Sequence, residues 1–179
     1  MKKTILVPEN ANDLTVKQYV DFQKVDTSDE IFLIHSVLRI FYDIPLSESK
    51  NVVFAEAEEL AANVLTLVAA DHKLQRIVEY KGKEYGFIPN LREISTAEYI
   101  DLDTYLADID NLAKTVSILY RPVTKRKGDL YEVEAYEGSQ DYPDFPLGAA
   151  LGALLFFYRL RRKLLGTSLT SSQKETESK

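Results

Sequence analysis

The stretch STAEYIDLDTYL, residues 95–106, sets Glu98, Asp101 and Asp103 among tyrosines, a grouping whose chemistry would be calcium binding or acid–base work. Asp101 and Asp103 match the first two ligand positions of a calcium loop. Tyr105 takes the third, however, and Leu106 stands where the loop needs glycine, so the spacing argues against a metal. The same residues have structural work available. Ser95 and Glu98 form a capping box that starts a short helical turn. Asp101 or Asp103 is then expected to cap a following helix with apolar positions Tyr105, Ile109, Leu112, Val116 and Leu119.

Other reactive constellations are thin. His35 and His72 are the only histidines, neither lies in an HExxH or triad-like signature, and a solvated surface position is expected for each. There is no cysteine, hence no thiolate nucleophile, no disulfide and no Cys-based zinc site. Gly82 and Gly86 fall in a hairpin and Gly148 and Gly152 in an apolar helix, so none builds a phosphate loop. Glu58 and Glu59 sit on the outer face of an amphipathic helix, where solvation is their ordinary role. The expectation is a non-enzymatic protein with no cofactor, no metal site and no small-molecule substrate.

Charge narrows the partners. The net charge of -6 repels nucleic acid and anionic lipid unless a local basic patch intervenes. Lys125, Arg126 and Lys127 are expected to pair across a ribbon with Glu132 and Glu134. Arg159, Arg161, Arg162 and Lys163 fall in the last turns of a final helix, where cations complement the dipole. RLRRK carries no interleaved aromatic residue for base stacking, which disfavours nucleic acid. The start, MKKTILVPEN, loses its apolar run at Pro8 and Glu9, so no secretory core follows. The longest strongly apolar run, 147–158, is too short for a bilayer, which takes about 20 residues as a helix, and no membrane partner is expected.

The elements that must position these groups are mostly helical. Thr4 to Val7 reads as a short strand. Thr15 with Gln18 and Thr27 with Glu30 match capping boxes that open helices near 15–24 and 28–42. Ile31, Ile34, Val37, Leu38 and Phe41 form an apolar face in the second, with His35 and Arg39 on a polar stripe. Ala57, Leu60, Ala61, Val64 and Val68 mark a third helix near 56–71, and 47–54 holds a short helical turn. The period then changes to two: a hairpin over about 74–89 turns at Lys81-Gly82, and a ribbon over 123–136 turns at Lys127-Gly128-Asp129. The predicted fold is α+β: a mainly helical single domain, residues 1–165, with one or two small antiparallel hairpins and a late apolar helix. The polar, aromatic-free segment 166–179 is expected to be a disordered tail.

That late helix, FPLGAALGALLFFYRLRRKLL at 145–165, is the unusual element. Pro146 suits a first turn, and from Leu147 to Phe157 no charged or strongly polar side chain appears on any face. Such a helix either runs through the domain core or lends part of its surface to another chain, and the two can coexist. Gly148 and Gly152 offer a smooth strip for close approach of a backbone. Leu147, Leu151, Leu155, Phe156 and Tyr158 are the candidate partner-binding residues. If all of these prove to be core, the binding surface is to be sought on the aromatic hairpin or on the basic end from Arg159 to Lys163.

Three segments carry a resemblance: YGFIPNLREISTAEYIDLDTYL, SILYRPVTKRKGDLYEVEAY and PLGAALGALLFFYRL. Their order, an aromatic hairpin, a helix start ending in Ile-Asp-Leu-Asp, a Leu-Tyr-Arg-Pro turn and a late apolar helix, resembles small tailed-bacteriophage proteins of the tail assembly chaperone and baseplate hub assembly type. The likeness spans about residues 74–160 and its motifs are structural. It implies an assembly factor in the host cytoplasm that shields an aggregation-prone tail or baseplate protein, with self-association as a further contact. The alternative it implies is a structural or cargo component retained in the virion.

Overall fold

Local signals fix several helix starts. The computed structural model describes residues 5–91 and 93–160. Thr15 caps α1 (Val16–Gln23) in a full capping box: its hydroxyl accepts from the Gln18 N–H, and the Gln18 side chain accepts from the Thr15 N–H at 2.9 Å. Asp29, not Thr27, caps α2 (Glu30–Tyr42), its carboxylate accepting from the Phe32 N–H at 2.9 Å. A carboxylate there satisfies a free donor and also meets the positive end of the helix dipole. The short α3 (Leu46–Ser49) precedes α4 (Phe54–Ala69). The strand expected at 4–7 does not form over 5–7. No ladder partner lies beside these residues among those described, and Leu6 is 91% exposed.

The two expected hairpins are one sheet. Strands β1 (Ile77–Tyr80), β2 (Lys83–Phe87), β3 (Tyr120–Lys127) and β4 (Leu130–Val133) form an antiparallel meander in sequence order. Lys81 and Gly82 take φ of 51° and 71°, the left-handed pair that matches the twist of a tight hairpin. The unforeseen join is β2 to β3, through Tyr85↔Pro122, Gly86↔Arg121 and Phe87↔Tyr120. Gly86 is required at this join: a Cβ there would lie 2.5 Å from the Tyr131 ring, which crosses β2 so that its hydroxyl donates to the Phe87 carbonyl at 2.6 Å. The second ribbon is shorter than 123–136, ending at Val133.

Between β2 and β3 run α5 (Thr96–Leu106) and α6 (Leu112–Leu119). Ser95 and Glu98 form the expected capping box. The expected cap at Asp101 or Asp103 is absent, because α5 continues through both. A cap needs an extended backbone and free N–H groups, and the helix started at Ser95 has already committed these residues. The break comes at Asp108, whose carboxylate accepts from Asp110 N–H at 3.0 Å and opens a 3-10 turn, Ile109–Asn111, ahead of α6.

The last helix among the described residues, α7, is described over 147–160. It touches two cores. Leu147 belongs to the helical core with Leu14, Val37, Leu38 and Val64, whereas Ala149, Ala150 and Ala153 pack with Val116, Tyr120 and Phe145 in the sheet core. Short backbone pairing, Val16 N–H to Phe145 O at 3.0 Å and Leu147 N–H to Leu14 O at 2.9 Å, anchors its start beside α1. The described residues thus form an α+β domain in which α7 joins the two cores. Residues 1–4, 161–165 and the expected tail 166–179 lie outside the described residues.

Candidate functional site

Glu98, Asp101 and the two histidines are engaged within the fold. Glu98 is buried and holds Arg121 Nη2 at 3.0 Å while its other oxygen caps α5 through the Ser95 N–H, tying α5 to β3. Asp101 accepts from the Tyr136 hydroxyl, and burial followed by this bond pushes the Tyr136 phenol well above its ordinary range. His35, expected at a solvated surface, is part-buried with Nδ1 at 2.8 Å from Ser49 Oγ. His72 Nε2 lies 3.1 Å from the Val68 carbonyl. Glu58 and Glu59 are exposed. Among the described residues no group of three or more metal-ligating side chains converges.

Of the two basic stretches, Lys125 pairs with Glu132 at 3.1 Å as expected. Arg126 instead reaches Glu84 on β2. The second stretch is described only at Arg159, which meets Asp71 at 3.4 Å; Arg161, Arg162 and Lys163 lie outside the described residues. A recess of about 270 Å³ lies beside Ser117, Arg121, Tyr136 and Tyr142. Arg121 Nε has no hydrogen-bond partner, but it is also shut off from the solvent-accessible surface. The recess therefore does not present that donor to a ligand.

The predicted partner-binding residues divide along α7. Leu147 is fully buried and is no docking residue: it fills the helical core, where a partner cannot reach it. Leu151 is half-buried against the same core. Leu155, Phe156 and Tyr158 are 37%, 38% and 44% exposed. The reason is the reach of the cover. Residues 148, 152 and 155 share one helical stripe. At Gly148 and Gly152 that stripe is overlaid by the chain itself. An added Cβ would stand 2.6 Å from Asn12 Oδ1 at the first and 2.3 Å from the Lys73 carbonyl oxygen at the second. The smooth strip thus serves backbone approach within this chain. Beyond Gly152 the stripe emerges with Leu155 on it.

Through Phe156 the emerging part of α7 meets the aromatic hairpin, so that two of the three expected surfaces adjoin. Phe156 stands edge-on to Phe87, centroids 5.7 Å apart, and both rings line a groove of about 290 Å³ together with Leu74, Ile88, Leu91 and Tyr131. On the other flank the Tyr158 hydroxyl donates to the Leu106 carbonyl at 3.4 Å. The hairpin wall was not among the predicted site residues. Its signal was the aromatic content of 85–88, but the wall exists only because Gly86 lets Tyr131 lie over β2.

Comparison with family models, curated proteins and solved structures gives no match for the chain. No helix among the described residues is long and apolar enough to cross a membrane.

Proposed function

We propose that the chain is a non-enzymatic assembly factor of a tailed bacteriophage, which binds an aggregation-prone tail or baseplate protein through the exposed end of α7. The observation that carries the binding half is the exposure of Leu155, Phe156 and Tyr158 on a helix that supplies core residues through Ala153, with Phe156 lining an apolar groove. Exposed apolar side chains at the rim of an apolar groove are the kind of surface that ordinarily marks a partner site. The phage client rests on the order of motifs over residues 74–160, and the working place that goes with it is the host cytoplasm.

Co-expression with tail and baseplate proteins tests the reading. Wild-type chain should keep its client soluble and co-purify with it, while Phe156→Glu should lose the client and stay folded. Undiminished recovery of the client by Phe156→Glu and Leu155→Glu would remove the α7 end from the reading. Stoichiometric chain in purified virions would replace the transient factor with a retained structural or cargo component.

A further inference from the structure

We draw no further inference here: the strongest candidate, the apolar groove lined by Phe87 of β2 and Phe156 of α7, belongs to the docking face already described, and nothing in the structure shows what covers it.

Discussion

Gly152→Ala should destabilise the protein, against the ordinary rule for helices. In an open helix this change gains about 1 kcal/mol, because alanine loses less backbone entropy than glycine. Here the new methyl would stand 2.3 Å from the Lys73 carbonyl oxygen and 2.8 Å from its carbon, where ordinary contact begins near 3.4 Å. Residues 73–74 must retreat by roughly 1 Å, and overpacking of this kind costs about 1–3 kcal/mol. The retreat is resisted because the segment is tethered just downstream. The Tyr120 hydroxyl donates to the Gln75 carbonyl at 2.5 Å, the Gln75 side chain bonds Asn12, and the Phe87 N–H donates to Arg76 O at 2.9 Å. With the tethers intact the upper half of that range applies, and the net loss after the helix gain is about 1–2 kcal/mol. At about 2–4 °C per kcal/mol for a chain of this size, the midpoint should fall by about 2–8 °C in a thermal melt. Gly148→Ala meets a side-chain oxygen instead of a backbone one and should cost less. An unchanged or raised midpoint for Gly152→Ala would refute the claim that chain segment 73–74 occupies the glycine strip.

Further outcomes follow from other contacts. Leu147→Glu should leave no cooperative melt, since it sets an unpaired charge in the helical core, whereas Phe156→Glu should melt within a few degrees of wild type; equal damage from both would mean that the α7 end is core. Ser95→Ala removes the hydroxyl that accepts from the Glu98 N–H and should cost about 0.5–2 kcal/mol in denaturant titration; no loss would detach the capping box from the stability of α5. Glu98→Gln strands the guanidinium of Arg121 and should cost about 3 kcal/mol, the low end for a buried pair because both side chains keep slight exposure. Adding Arg121→Met should recover part of that loss, and simple additivity would argue against coupling. Burial raises the phenols of Tyr120, Tyr136 and Tyr142 above their ordinary range, with the Asp101 carboxylate adding to the shift at Tyr136. The unfolded chain therefore ionises first, so stability should be intact below about pH 10 and fall above it, and absorbance titration of the folded protein should show late-ionising tyrosines. A single tyrosine transition near pH 10 with no loss of stability would contradict this.

Much of the fold was legible because its causes are local. The capping boxes at Thr15 and Ser95 join residues three apart, and the Lys81-Gly82 turn needs only two left-handed positions, so each reads from a few neighbours. The spread of apolar residues around α7 likewise announced a helix wanting cover on every side. What the sequence by itself determined was therefore the helical character, the turns and the demand for burial at 147–157. Tertiary structure decided how that demand was met. The pairing of β2 with β3 spans the whole α5–α6 insertion, and the cover of the glycine strip comes from residues far away in the chain, Ala11–Asn12 and Lys73–Leu74. Glu98 gained Arg121 as a second partner and Asp101 gained Tyr136 for the same reason: contacts across the chain depend on how elements dock, and no periodicity encodes them. The candidate site lies at that boundary. Leu147 and Leu155 are alike in sequence, but one lies where α7 is enclosed by the helical core and the other where the covering chain has ended.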